Sequence, residues 1–95
     1  MNNNILVTGC AGFIGYHVAA KLIKNNHKVI GIDNLNNYYD KNLKFSRLKE
    51  LKKISNKKKN YKFFKVDICN FRKLKNLFKK YKFKTILHFA AQAGI

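Results

Sequence analysis

The sequence predicts an α/β protein whose core is a doubly wound parallel sheet. Short apolar runs alternate with helical patterns in the order β-α-β-α-β-α-β, and the first run breaks into three evenly spaced glycines, Gly9, Gly12 and Gly15. Alternating strands and helices imply right-handed crossovers and parallel strands, and the strand order expected for such a sheet is 3-2-1-4. With 95 residues, the chain amounts to at most one small domain.

The first apolar run and its glycines predict a strand, a tight turn and the first turn of a helix. Gly9 allows the chain to reverse, Gly12 lets backbone N–H groups approach a pyrophosphate, and Gly15 lets the helix pack close to the strand. The unpaired N–H groups of Phe13 and Ile14, at the positive end of the helix dipole, favour an anion. The sequence therefore predicts a phosphate site at this helix N-terminus.

Apolar spacing predicts the remaining elements: helix 13–24, strand 29–33, helix 43–53, strand 61–67, helix 71–81 and strand 85–91. In the third helix, an apolar stripe that includes Phe71 and Phe78 is expected to pack against the sheet, and Asn70 is the expected N-cap. His88 lies on an apolar strand, so a packed histidine is expected there in preference to an acid or base.

Several residues at strand ends predict a ligand site at one edge of the sheet. Asp33 ends the second strand, eighteen residues after Gly15. A dinucleotide-binding fold places at about this distance the carboxylate that accepts hydrogen bonds from the adenosine ribose, although a solvated strand end is the simpler alternative. Doubly wound sheets bind ligands outside the carboxyl ends of their strands. Asp67 and the pair Ala90 and Ala91 are expected at the same edge.

Composition argues against several other classes of function. The net charge of +17, from 21 Lys and Arg against 4 Asp and Glu, is compatible with a polyanion partner. Only Arg47 and Arg72 are arginines, and the lysines fall mostly on predicted exposed faces, so we do not expect nucleic-acid binding. No apolar run reaches the ~18 residues of a membrane span. Cys10 and Cys69 have neither metal-binding nor disulfide spacing, which favours free thiols, no metal site and a cytoplasmic protein.

Four motifs in the sequence carry a resemblance to a known family: Gly9-x-x-Gly12-Phe13-Ile14-Gly15, Gly31-Ile32-Asp33-Asn34-Leu35, Val66-Asp67-Ile68 and His88-Phe89-Ala90-Ala91-Gln92-Ala93-Gly94. Together they resemble the extended short-chain dehydrogenase/reductase family, in particular its NAD-dependent sugar-nucleotide epimerases and dehydratases. The loop 33–40, with the residues that follow it, is most similar to the UDP-glucuronate 4-epimerases. The resemblance implies that residues 1–95 are the N-terminal, incomplete part of a Rossmann-type NAD-binding domain, without a second domain.

The resemblance also implies a role for each matching residue. It assigns the pyrophosphate to Gly9, Gly12, Phe13, Ile14 and Gly15; the adenosine ribose to Asp33, Asn34 and Asn37; the adenine to Asp67 and Ile68; and the nicotinamide side to Phe89, Ala90 and Ala91. The implied reaction is oxidation and re-reduction of C4 of a UDP-sugar through bound NAD, in an enzyme that is a homodimer when full length.

In this family the base is the tyrosine of a Tyr-x-x-x-Lys motif, and the resemblance places that motif after Ile95. Residues 1–95 alone are therefore expected to hold no catalytic residue and to have no epimerase activity. Tyr61 and Lys65 have the right spacing, but on a predicted strand they lie about 13 Å apart at ~3.3 Å per residue. The alternatives are another sugar-nucleotide epimerase or dehydratase, a freestanding NAD-binding module and a basic nucleic-acid binder.

Overall fold

The computed structural model describes residues 4–35 and 41–90. Its elements alternate between strand and helix along the whole of the described chain. In order they are β1 Asn4–Thr8, α1 Phe13–Lys24, β2 Lys28–Asp33, α2 Lys41–Ile54, β3 Tyr61–Lys65, α3 Phe71–Tyr81 and β4 Thr85–His88. The predicted number, type and order of the elements are confirmed.

The four strands form one parallel sheet in the order β3-β2-β1-β4. β1 lies between β2 and β4, and Val7 is opposite Gly31 on one side and Leu87 on the other. β2 continues the sheet to β3, where Gly31 is opposite Phe63. This is the predicted order, and because all strands are parallel, their carboxyl ends meet at a single edge, which we call the carboxyl edge.

Helices cover both faces of the sheet, so the hydrophobic core has two parts. The part under α1 and α2 contains Ile5, Val7, Cys10, Ala19, Ala20, Ile23, Val29 and Leu51. The part under α3 contains Leu6, Ile30, Ile32, Val66 and Leu77. Successive residues of β1 and β2 contribute to opposite parts, because neighbouring side chains of a strand point to opposite faces. The sheet is therefore doubly wound, with nearly continuous apolar strands at its centre.

Local signals in the sequence explain where the helices begin and end. Asn70 caps α3 by accepting a hydrogen bond from the backbone N–H of Lys73 at 3.2 Å, as predicted. α1 ends at the predicted asparagines, where Asn26 adopts a positive φ of 70°. Among residues 4–35 and 41–90, no helix is long and apolar enough to cross a membrane.

Two predicted strands are shorter in the structure. β3 ends at Lys65 because a turn closed by the Asn70 N–H and the Asp67 carbonyl, 2.8 Å apart, begins just beyond it. β4 ends at His88 because its partner β1 ends at Thr8, where the glycine turn begins.

The expected packing of the α3 stripe is correct only in part. Leu77 is buried and Leu74 and Tyr81 pack beside it, whereas Phe71 is 81% exposed and Phe78 is also exposed. Leu74, Leu77 and Tyr81, at i, i+3 and i+7, form a stripe that already covers this face of the sheet. The two phenylalanines lie beside that stripe: Phe71 faces solvent, and Phe78 makes an edge-to-face contact with Phe83, with 5.1 Å between the ring centroids.

We expect Leu51→Ala to lower the free energy of unfolding by about 3 kcal/mol, because Leu51 is fully buried between α2 and the sheet and its loss leaves a cavity. Leu43→Ala is the matched control on the same helix, because Leu43 is 46% exposed. That control should change stability by less than about 1 kcal/mol. Urea unfolding followed by circular dichroism measures both. Equal losses in the two variants would contradict the packing described for α2.

Candidate functional site

Backbone hydrogen bonds gather the ends of the strands at the carboxyl edge. The N–H of Gly9 donates to the carbonyl of Ile32 at 2.9 Å, which joins the turn after β1 to the end of β2. The N–H of Val66 donates to the carbonyl of Asp33 at 3.1 Å, which joins β2 to the segment after β3. The turn, Asp33 and the residues before Asp67 are thus neighbours, as the sequence predicted.

The glycine turn fits tightly between α1 and the end of β4. Gly9 has a φ of 70°, and a Cβ there would lie 2.8 Å from the backbone nitrogen of Ala90. A Cβ on Gly15 would overlap the carbonyl oxygen of Gly9. Both positions therefore require glycine, the first for its conformation and the second for the close approach of helix and turn.

The N-terminus of α1 presents backbone donors to open space. Gly12 is the N-cap residue, no side chain of residues 4–35 and 41–90 caps the helix, and its first turn contains no acidic residue. Of the atoms of these described residues, only the Gly9 carbonyl oxygen would lie within 4 Å of a Cβ on Gly12, at 3.2 Å, so they leave the space beyond it open. Phe13 and Ile14, which follow, are exposed. Uncapped N–H groups with space in front of them are suited to hold an anion such as a pyrophosphate.

The carboxylate of Asp33 lies beside this turn and is only 5% exposed. Its Oδ2 accepts a hydrogen bond from the N–H of Ala11 at 3.0 Å. Its Oδ1 accepts from the N–H of Leu35 at 2.8 Å and from Nζ of Lys44 at 3.1 Å. Asp33 is therefore a fixed, charge-compensated acceptor and not the solvated strand end that was the alternative.

Two basic residues of α2 reach the site, although no motif in the sequence predicted a role for either of them. Lys44 forms the ion pair with Asp33, and the two side chains are 10% and 4% exposed. Nη1 of Arg47 donates to the carbonyl of Ala11 at 3.0 Å, and its guanidinium lies 5.9 Å from the centre of the Phe13 ring. The three-residue spacing places both on one face of a helix. In so lysine-rich a sequence, that spacing alone does not identify the buried lysine.

Thr8, at the end of β1, holds the chain that follows β4. Its Oγ1 accepts hydrogen bonds from the N–H groups of Phe89 at 3.0 Å and Ala90 at 3.1 Å, and lies 2.7 Å from Nδ1 of His88. The hydroxyl of Thr8 thus joins the end of β1 to three successive residues, His88, Phe89 and Ala90. The expectation that His88 is packed is wrong, since the residue is exposed and is held by its hydrogen bond with Thr8.

The structure also describes the surroundings of three other predicted site residues, Asp67, Ile68 and Asn34. Asp67 is exposed, and its Oδ1 accepts a hydrogen bond from the N–H of Cys69 at 2.8 Å, which closes a turn. Ile68 packs against the part of the core under α3. Their predicted contact with adenine stays a prediction. Asn34 is half-buried next to Asp33, whereas Asn37 and Ala91 lie outside the described residues.

The buried thiol and phenol behind the turn are structural. Burial raises the pKa of the Cys10 thiol, and the nearby charge of Asp33 adds to the effect, so the thiol stays protonated. Burial likewise raises the pKa of Tyr61, with a smaller contribution from Cys10. Tyr61 and Lys65 occupy the two ends of β3, and Lys65 is exposed, so they do not form a helical catalytic pair. Within the described ranges, no group of three or more His, Cys, Asp or Glu could hold a metal ion.

Together, the parallel sheet of order β3-β2-β1-β4 and the helices on both of its faces define the doubly wound α/β class, of the Rossmann type. The family model described as GDP-mannose 4,6 dehydratase matches residues 6–95. The chain belongs to this family of sugar-nucleotide epimerases and dehydratases, whose cofactor is NAD, and the resemblance stated from the motifs is confirmed.

Individual relatives agree with this assignment. A UDP-glucuronate 4-epimerase of Thermodesulfobacterium geofontis is 49% identical over 90 residues, which are 95% of this chain and 27% of that protein. The crystal structure of Thermotoga maritima UDP-glucose 4-epimerase with UDP-glucose superimposes with a TM-score of 0.74 at 36% identity, over 95% of this chain and 25% of that one. The structure of Bacillus anthracis dTDP-glucose 4,6-dehydratase in complex with NAD superimposes with a TM-score of 0.77 at 30% identity, over 96% of this chain and 27% of that one. The chain spans about a quarter of the length of curated relatives such as this UDP-glucuronate 4-epimerase.

We expect Thr8→Val to lower the free energy of unfolding by about 2 kcal/mol, because it leaves the N–H of Ala90 without its acceptor. Amide hydrogen exchange at Ala90 should become faster, whereas the N–H of Phe89 keeps the carbonyl of Thr8 as an acceptor at 3.1 Å. Thr8→Ser keeps the hydroxyl and is the matched control, with exchange close to that of the parent. Unchanged exchange in the valine variant would show that Thr8 does not hold this segment.

Proposed function

We propose that this chain forms the NAD-binding portion of a UDP-sugar 4-epimerase, most similar to the UDP-glucuronate 4-epimerases. The observation that carries the proposal is the pairing of two features at the carboxyl edge. One is the open, uncapped N-terminus of α1 at Gly12, and the other is the buried carboxylate of Asp33 that the same turn holds through Ala11. A dinucleotide needs both an anion site and an acceptor for a ribose hydroxyl, and it needs them side by side.

The residues present fit the cofactor of the family. The pyrophosphate would lie against the N–H groups that open α1, where Gly12 leaves space and Phe13 and Ile14 begin the helix. The adenosine ribose would bind at Asp33, and Oδ2 is the better-placed oxygen because it accepts one hydrogen bond from the described residues where Oδ1 accepts two. Asn34 is adjacent to this position, and Asn37 is proposed to assist it.

The end of β4 would line the nicotinamide side of the site. NAD, when bound, supplies an acceptor for the hydride of a sugar C4–H group and later returns it. The chain's own contribution is to fix the backbone of Phe89 and Ala90, which Thr8 holds through two hydrogen bonds. Ala91 is proposed to continue this lining. Small side chains such as that of Ala90 would leave room for the nicotinamide ring. No residue of this chain is assigned a role in proton transfer.

The substrate class is proposed from the relatives. A UDP-glucuronate 4-epimerase is 49% identical, whereas the dehydratase complex and the UDP-glucose epimerase are 30% and 36% identical. A UDP-sugar, and UDP-glucuronate in particular, is therefore the proposed substrate of the whole enzyme, and another sugar nucleotide is the alternative. The proposed homodimer stays a prediction of the family resemblance, and the cytoplasmic location stays a prediction from the composition of the sequence.

A hybrid enzyme tests the proposal directly. The 90 aligned residues of the Thermodesulfobacterium geofontis relative are replaced by the matching residues of this chain, and the parent relative is the control. We expect the hybrid to bind NAD in a calorimetric titration and to interconvert UDP-glucuronate and UDP-galacturonate. A folded hybrid that binds no NAD would overturn the proposal, and one that binds NAD but epimerises only UDP-glucose would correct the substrate.

In the same hybrid, Gly12→Val should weaken NAD binding by on the order of 100-fold, because the side chain fills the space in front of the α1 N-terminus. Lys28→Val introduces the same side chain at an exposed position on the opposite edge of the sheet and serves as control. Both variants should keep the parent's far-UV circular dichroism. Parent-like NAD affinity in the Gly12 variant would place the dinucleotide elsewhere.

A further inference from the structure

Lys44 differs in its burial from Lys49, Lys52 and Lys53 of the same helix. Lys49, Lys52 and Lys53 are exposed on this helix, as a charged side chain normally is. Lys44 is 8% exposed, and its Nζ lies 3.1 Å from Oδ1 of Asp33. Removing an ammonium group from water is costly, and it is tolerated where a partner charge and hydrogen bonds compensate for it. Lys44 and Asp33 therefore form a buried pair with no net charge.

The position of this pair bears on which dinucleotide the site accepts. In this fold the acidic residue at the end of the second strand meets the 2′-hydroxyl of the adenosine ribose. NAD carries a hydroxyl there and NADP carries a phosphate, which an uncompensated carboxylate repels. The charge of Asp33 is compensated by Lys44 at 3.1 Å, so the repulsion that the carboxylate alone would exert is largely cancelled.

We propose that Lys44 is a specificity-determining residue, which narrows the preference for NAD over NADP by offsetting the charge of Asp33. This inference rests on the proposed function, since it concerns the dinucleotide held at that same edge. Lys44 bonds to Oδ1, whereas Oδ2 accepts a single hydrogen bond from the part of the chain that the structure describes and would be the oxygen available to a ribose hydroxyl. Its charge should therefore matter much more for NADP than for NAD.

The size of the effect follows from Coulomb's law. One unit charge within several ångströms of a phosphate, in a partly exposed protein site, changes affinity by about tenfold. In the hybrid, Lys44→Gln should lower the affinity for NADP relative to NAD by about that factor. Lys44→Arg keeps the charge and should keep the ratio within about threefold of the parent. Lys49→Gln removes an exposed charge from the same helix and controls for the high net charge of the chain.

A double-mutant cycle with Asp33 separates this role from a merely structural one. Asp33→Asn leaves Lys44 without its counter-charge and should raise the NADP:NAD affinity ratio by about tenfold. The double variant, with Asp33→Asn and Lys44→Gln, has a neutral pair at this position. Its NADP:NAD affinity ratio should be close to that of the parent. Isothermal titration with NAD and NADP, after bound nucleotide is removed, measures each ratio, and thermal unfolding checks that each variant folds.

The possible outcomes distinguish this inference from the proposed function. A parent hybrid that binds neither dinucleotide overturns both. A parent that binds NAD, with Lys44→Gln lowering both affinities equally, shows a structural role only and overturns the inference alone. If Lys44→Gln does not fold, the comparison of Asp33→Asn with the double variant decides, and equal NADP:NAD ratios in those two would overturn the inference.

Discussion

The carboxylate of Asp33 is buried where the ends of β1 and β2 meet α2, and the surrounding structure is arranged to compensate its charge. A buried carboxylate is stable only with hydrogen bonds and a counter-charge. The glycine turn supplies the N–H of Ala11, the segment after β2 supplies the N–H of Leu35, and α2 supplies the ammonium of Lys44. One side chain thus fixes the orientation of three segments around the edge where a ligand would bind.

The glycine turn adds a second constraint, which is steric. It bonds to Ile32 on the β2 side, and its Gly9 lies against the backbone of Ala90 on the β4 side. Arg47 holds the same turn from α2 through the carbonyl of Ala11. The open N-terminus of α1 is therefore set in a rigid frame, and a rigid frame reduces the conformational entropy lost when an anion binds.

Much of this architecture could be predicted because local signals and the global fold agree. The apolar alternation predicted the elements and their order, and the glycine spacing with Asp33 predicted the edge. The features that could not be predicted depend on three-dimensional packing. A lysine side chain is normally exposed, and Lys44 can be buried only because Asp33 compensates its charge. The role of Thr8 in holding the end of β4 could not be predicted either. The N–H groups from which its hydroxyl accepts hydrogen bonds lie more than 80 residues away along the chain. The shorter β4 follows from where β1 stops, which no property of β4 itself reveals.

Binding of a dinucleotide at the carboxyl edge can be observed residue by residue in an NMR titration of the ¹⁵N-labelled hybrid with NAD. We expect the amide signals of Gly12, Phe13 and Ile14, and those of Asp33 and Phe89, to shift. The amide signals of Lys28, Lys62 and Thr85, at the opposite edge of the sheet, should not change comparably. Shifts in this second group with no change in the first would show that the dinucleotide does not bind at the carboxyl edge.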